Sequence, residues 1–226
     1  MGVPRCFSQF LEICAAMTDK TVQVAAIENN GPNTLVSFLR HGCSQASAID
    51  IAVAFVSTAG LDSILHVLQK TAKAGRVRLL TGLYQGITEP KALRTLFQVQ
   101  KQTKGRLSVQ ISCLKHFHWK SYYILTQNLA TAIIGSSNLT DDGLRTIGEL
   151  NVVLTLSRTS TSFKHVHNIF ERNWATGSKV LSKDIIERYE KWRKENAVSA
   201  KHLSVPVSQI VGKPGGKLPP SEVQNS

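Results

Sequence analysis

The feature that most constrains this chain is an apolar run followed by a helical stripe. Ala48 to Val56 reads AIDIAVAFV, too apolar for a half-exposed strand and suited to one buried on both faces. Leu61, Ile64, Leu65 and Leu68 follow at i, i+3, i+4 and i+7, which places them on one side of a helix. Gly75 ends that helix, and Val77 to Thr81 reads as the next strand. The cycle then repeats: Pro90 opens a helix carrying Leu93, Leu96 and Phe97, Gly105 closes it, and Leu107 to Ile111 is a strand. This order predicts a layered α/β/α sandwich around a mixed, largely parallel sheet.

Beyond Ile111 the pattern changes. Trp119 to Leu125 and Ala130 to Ile134 are apolar strands joined by a hairpin-length turn, and Leu150 to Leu156 is another strand. Phe163, Val166, Phe170 and Trp174 mark a helix, and Ile185, Ile186, Tyr189 and Trp192 give the apolar face of a final one over 183–195. We divide the chain into a peripheral segment at 1–20, a catalytic domain at 21–177, a C-terminal helix at 178–196 and a disordered tail at 197–226. The tail is rich in Pro and Gly and has little to bury. Met17 could serve as a start as well as Met1.

Composition narrows the partner. Lys and Arg number 27 against 15 acids, a net charge of +12, which points to a polyanion. Between Lys70 and Arg106 nine basic residues accompany a single acid, Glu89, so this stretch carries two thirds of the net charge. Arg76, Arg78, Lys104 and Arg106 are the candidate nucleic-acid contacts. No apolar run reaches the length of a membrane span, so stable membrane insertion is not expected. Cys6, Cys14, Cys43 and Cys113 show no pairing or zinc-site spacing, which suits a reducing, cytoplasmic interior.

The chemistry-bearing residues lie in the second half. His118-Trp119-Lys120 places an imidazole and an ammonium two apart on a strand, hence on one side of it. After the hairpin comes Gly135-Ser136-Ser137-Asn138, where Ser136 and Asn138 share a parity, and Glu149 opens the following strand. His116 has the parity of His118 and is placed on the rim of the site. His165 and His167 lie on an amphipathic helix and are read as exposed or packed. The constellation holds no cluster of carboxylates for a metal, and no metal or other cofactor is expected.

In this order, HxK, strand, GSxN, then Glu, the sequence resembles the phospholipase D superfamily. It is most similar to the one-motif bacterial nuclease branch, which includes the endonuclease Nuc and the nuclease domains of some metal-independent restriction enzymes. The supporting stretches are IAVAFVSTAGLDSIL, VRLLTGLYQGITEPKAL, FHWKSYYILTQNLATAIIGSSNLTDDGL and GELNVVL, which together span about residues 25 to 175. The resemblance implies a phospholipase D-like fold and a metal-independent phosphodiesterase. It makes His118 the nucleophile that forms a phosphohistidine. It assigns Lys120 and Asn138 to the non-bridging oxygens, with Ser136 in support, and Glu149 to orienting the histidine. The fuller family motif has an Asp five residues after the Lys, where this chain has Leu125.

The expected substrate is nucleic acid, DNA ahead of RNA. A lipid phosphodiesterase of the same superfamily is one alternative, and a nucleic-acid-binding module with a decayed site is another. The two-step chemistry calls for two histidines, and this chain has one HxK. A symmetric homodimer with a composite active site is therefore expected.

Overall fold

The computed structural model describes residues 22–146, 148–196 and 207–212. The expected peripheral segment at 1–20 and 24 of the 30 residues of the expected tail fall outside the described residues, but 207–212 depart from that expectation, with Val207–Ile210 helical and Ile210 and Val211 buried in the core.

Eight strands form a single sheet: β1 (Gln23–Ile27), β2 (Ala48–Val53), β3 (Arg76–Thr81), β4 (Leu107–Ser112), β5 (Lys120–Leu125), β6 (Leu129–Gly135), β7 (Asn151–Ser157) and β8 (Ser178–Val180). The helices are α1 (Leu35–Gly42), α2 (Thr58–Ala74), α3 (Pro90–Gln102), α4 (Asp141–Arg145), α5 (Thr161–Thr176), α6 (Lys183–Glu195) and α7 (Val207–Ile210). The sheet runs β1-β7-β6-β5-β2-β3-β4-β8.

The layered α/β architecture agrees with the sequence reading, but the sheet is not largely parallel. Only β2–β3 and β3–β4 pair in parallel. The other five pairings are antiparallel. The reason lies in the connections. A helix crosses over between β2, β3 and β4, whereas β5, β6 and β7 are joined by a hairpin and a short helical loop, which reverse the chain. β1, α1 and β8 were not resolved by the hydrophobic pattern. In β1 the residues Val24 to Ala26 are all exposed, so no buried face shows in the sequence.

Alternate residues of the central strands feed two cores. Ile49, Ile51 and Val53 of β2 join Leu61, Leu68, Leu93, Leu96 and the α1 residues on one face. α6 adds Ile185, Ile186 and Tyr189 to that same core. On the other face Ala48 and Ala52 meet Tyr123, Phe163 and Phe170 beneath α5. No described helix is long and apolar enough to cross a membrane.

The second face also buries charge. Asp50, at the centre of β2, is fully buried and lies in register with Arg78 of β3. Arg78 Nε and Nη2 each donate to the Asp50 carboxylate at 2.7 Å, and Arg76 approaches it at 3.1 Å. From α5, His167 Nε2 lies 2.9 Å from Asp50 Oδ2, and Glu171 accepts from both terminal nitrogens of Arg78. The guanidinium also lies over the Phe170 and Trp174 rings, at 4.8 and 5.3 Å from their centroids. Burial alone would raise the Asp50 pKa, but the hydrogen bonds from Arg78 and His167 and the two guanidinium charges bring it down to about 2. Asp50, His167 and Glu171 are metal-ligand types with ligand atoms within 4.8 Å of one another, yet the arginines already supply the positive charge. This is an ion network that ties α5 to the sheet. His167 is accordingly the packed histidine of its pair, while His165 is exposed.

A carboxyl with a depressed folded pKa contributes stability above its unfolded value near 4, and that contribution is lost as pH falls toward 2. Asp50→Asn should lower the unfolding free energy at pH 7 by about 3 kcal/mol, because it leaves Arg78 buried and incompletely paired. It should also flatten the acid-side loss of stability between about pH 4 and 2. Urea titrations at pH 7 and across the acid range test both, and a wild-type acid limb in the variant would refute the assignment.

Candidate active site

The site forms where β2 ends and the chain enters β5. The Ala54 amide donates to the Trp119 carbonyl at 2.8 Å, extending the β2–β5 ladder past Val53 and Lys120. His118 thus sits one step beyond the strand with Lys120 on the same side, as the alternation predicts. Lys120 Nζ lies 2.7 Å from His118 Nδ1 and also reaches the His118 carbonyl at 3.1 Å. An ammonium can only donate, so the imidazole nitrogen facing it keeps its lone pair and the ring is neutral in this arrangement. Partial burial and the adjacent Lys120 charge both lower the His118 pKa. Partial burial also lowers that of Lys120, while the Glu149 charge opposes the shift.

Two rings confine the histidine. Phe55 and Tyr84 meet it edge-on, with centroids at 5.6 and 6.3 Å, and Tyr84 also meets His116 at 5.1 Å. His116 is exposed on the rim, where the sequence placed it. Tyr84 stands in a tight loop in which Gln85 and Gly86 have φ of 57° and 68°. That loop is pinned by the buried Thr88 hydroxyl, which donates to the Gly82 carbonyl at 2.8 Å. It is pinned again by Tyr189, whose hydroxyl donates to the Thr88 carbonyl at 2.8 Å.

The Gly135–Asn138 segment is fixed from below. A Cβ at Gly135 would lie 2.2 Å from the Leu150 carbonyl oxygen, so only glycine permits the close approach of β6 to the start of β7. Ser137 is fully buried. Its hydroxyl accepts from Asn151 Nδ2 at 2.8 Å, and its carbonyl accepts from the Tyr122 hydroxyl at 3.1 Å. Ser136 is exposed, and its Oγ accepts from the Leu150 amide at 3.0 Å.

Asn138 is the informative member. Its Oδ1 accepts from the Phe55 amide at 3.1 Å, which orients the carboxamide. The oxygen is therefore turned toward the end of β2, and the two Nδ2 protons have no partner among the described residues. Lys120 thus offers an ammonium beside a neutral imidazole, and Asn138 offers amide donors next to Phe55, whose ring meets that imidazole; such donors can receive an anionic tetrahedral group. Glu149 is half-buried at the start of β7, and its charge bears on Lys120 and Tyr122. It makes no hydrogen bond to His118 within the described residues, so the structure does not bring the carboxylate to the histidine within one chain.

Leu125, at the position of the family Asp, is buried at the far end of β5. Five residues of strand separate it from Lys120 by roughly 17 Å. A carboxylate there would not reach His118. Phe55, Tyr84, Tyr122 and Asn151 were not singled out from sequence, because each reads as an ordinary core or loop residue until the strands are paired.

The basic candidates need correction. Arg78 is buried and engaged by Asp50 and Glu171, so it cannot meet a phosphate. Arg76 is also turned to Asp50. Arg76 opens β3, and Lys104 and Arg106 precede β4, so all of them lie at the opposite end of the parallel strands from His118.

The family model for the cardiolipin synthase PLD-like domain matches residues 42–174. Among solved structures, Nuc from Salmonella typhimurium, a phospholipase D family member, is 15% identical over 71% of this chain and 97% of its own, with a TM-score of 0.53. Phosphatidylserine synthase from Haemophilus influenzae Rd KW20 is 14% identical, with a TM-score of 0.57. That match covers 83% of this chain but only 48% of the synthase. No curated protein is significantly similar in sequence.

The depressed His118 pKa yields a prediction independent of any substrate. His118 should titrate below the ordinary value of about 6.5, and Lys120→Met should raise its pKa by removing the adjacent charge. Imidazole NMR against pH reads this directly, and an unchanged pKa in Lys120→Met would contradict the close pairing.

Proposed function

Because this chain belongs to the phospholipase D superfamily, whose PLD-like domain model spans more than half of it, we propose that it is a metal-independent phosphodiesterase that cleaves nucleic acid, DNA ahead of RNA. The observation that carries the reading is the pairing of Lys120 Nζ with His118 Nδ1 at 2.7 Å, together with an Asn138 carboxamide whose oxygen is held by the Phe55 amide at the end of β2. A phosphodiester repels nucleophiles through its negative charge. Phosphate binding draws the Lys120 ammonium from His118 onto a phosphate oxygen, where it and Asn138 offset that charge, and the imidazole lone pair so released is the nucleophile.

In the first step an imidazole nitrogen of His118 attacks phosphorus. The P–N bond forms as the bond to the leaving oxygen breaks, and that oxygen takes a proton from a second imidazolium. The second imidazole, now neutral, removes a proton from water. The resulting hydroxide attacks the phosphohistidine, the P–N bond breaks, and both rings return to their starting states. Ser136 supports the phosphate, and Glu149 stabilises imidazolium charge.

This chain carries one such histidine motif, so the second imidazole is that of a second copy across a two-fold axis. An apolar strip exposed among the described residues favours this assembly. Ile134 and Val152, in register on β6 and β7, are 38% and 40% exposed, and Leu150 and Val24 are 58% and 69% exposed. Leu150 adjoins Glu149, so the strip borders the site. A second copy seated there would bring its own carboxylate and imidazole close, which also accounts for Glu149 making no hydrogen bond to His118 among the described residues.

Plasmid cleavage in excess EDTA, run beside phosphatidylcholine and cardiolipin vesicles, tests the reaction. Wild type should nick DNA in EDTA and leave lipid intact. His118→Ala should abolish turnover without unfolding, and Lys120→Ala should lose roughly a hundredfold or more, about 3 kcal/mol of transition-state stabilisation. Activity only with added magnesium would refute the mechanism, lipid release without nicking would transfer the reading to a lipid substrate, and binding without turnover would mark a decayed site.

Assembly has its own readout. Light scattering should give a dimer, and heterodimers of wild type with His118→Ala should fail to complete turnover. A fully active monomer would refute the composite site.

A further inference from the structure

A concavity of about 460 Å³ lies between the C-terminal turns of α2 and α3, and Lys70, Lys73, Lys104 and Arg106 line it with His66 and Gln69. No acid lines it. Among the described residues none of the four cations pairs with a carboxylate, in contrast to Arg76 and Arg78 close by. The turn that carries Lys104 is set by left-handed backbone at Lys104 and Gly105, with φ of 51° and 80°. Arg106 is anchored by donation from Nη1 to the Lys73 carbonyl at 2.6 Å. Four like charges held around one hollow repel one another, and a polyanion relieves that repulsion.

We propose that this concavity is an anchoring exosite for the phosphate backbone of DNA, remote from the scissile phosphodiester; the proposal rests on the nuclease reading of the His118 site. The topology carries the separation. β2, β3 and β4 end at the His118 pole, and α2 and α3 run back from it, so their C-terminal turns lie at the other pole. The six residues of β3 and the 17 of α2 give a span of roughly 20–25 Å between the poles. At about 3.4 Å per base pair, a straight duplex needs more than about six base pairs to reach from one to the other. A lipid surface fits less well, because none of the exposed large apolar side chains lines the concavity, and surface-bound proteins add apolar insertion to cationic attraction.

The test is Lys70→Glu/Lys73→Glu/Lys104→Glu in the full chain, since these side chains are exposed and bear no described partner. Rates are measured on a 40-base-pair duplex, a 6-base-pair duplex and bis(p-nitrophenyl) phosphate, with binding of the long duplex followed against salt. The exosite predicts a KM for the long duplex raised tenfold or more with kcat unchanged, and unchanged constants on the two short substrates. The log-log salt slope should flatten by about 0.9 for each lost contact. A wild-type KM and slope on the long duplex would overturn the proposal. So would an equal loss on both duplexes, which would put the lysines at the cleavage site, or a variant that loses binding to phosphatidylglycerol vesicles but not to DNA. If wild type turns over none of the three substrates while the slope still flattens, the catalytic reading fails and the exosite stands.

Discussion

The Asp50–Arg78 pair is the constraint around which the sheet is organised. A carboxylate with no exposure, at the centre of the middle strand, is tolerable only when its charge is matched and its oxygens accept hydrogen bonds. Arg78 satisfies both demands from the adjacent strand, and a shift of β3 by one residue would carry it to the other face and strand the charge. The same guanidinium reaches Glu171, and the same carboxylate receives His167, so the pair also fixes the position of α5. A hydrophobic pair would contribute comparable stability, whereas the ion pair adds to the register a penalty for leaving a charge buried and uncompensated.

With β2 fixed, the site is assembled at its C-terminal end by backbone contacts. The Leu139 amide donates to the Phe55 carbonyl, and the Ser57 amide donates to the Leu139 carbonyl. Gly60 allows this, since a Cβ there would lie 2.4 Å from the Leu139 oxygen. The Gly135–Asn138 segment is thereby locked against the strand end from which His118 is reached. Donors fixed by backbone contacts need not reorganise as charge develops, and such preorganisation makes electrostatic stabilisation effective. The family-type glycine and asparagine thus have physical reasons here: one admits a neighbouring strand, and the other is oriented by a main-chain amide.

How much of this was legible in the sequence depends on range. The buried β2 strand, the α2 stripe, α6 and the parity of His118 and Lys120 are local patterns, and they could be read directly. The direction of β5, β6 and β7 follows from short connections, but the count of parallel pairs depends on which strand β5 lies beside. It inserts against β2, and nothing in its own residues says so. Arg78 illustrates the same limit. In sequence it is one of nine cations in a basic stretch, and only its register with Asp50 shows that it is consumed internally. Tyr84 and Phe55 escaped notice because what distinguishes them is contact with an imidazole more than thirty residues away.

The placement of the charge follows from the handedness and direction of the crossovers. In a β-α-β unit the strand delivers the chain to one pole and the helix returns it to the other. Loops that leave strands therefore face the site, and turns that leave helices face away from it. Seven of the nine basic residues in the 70–106 stretch fall on α2, α3 and the turn after α3, and the other two, Arg76 and Arg78 on β3, are turned to Asp50, whereas the loops after β2 and β3 supply Phe55 and Tyr84. A high positive charge beside a catalytic motif in sequence is thus compatible with a site whose own wall is aromatic. The cations of α2 and of the turn after α3, unpaired among the described residues, thus stand at one pole of the sheet, and Lys120, Asn138 and His118 at the other.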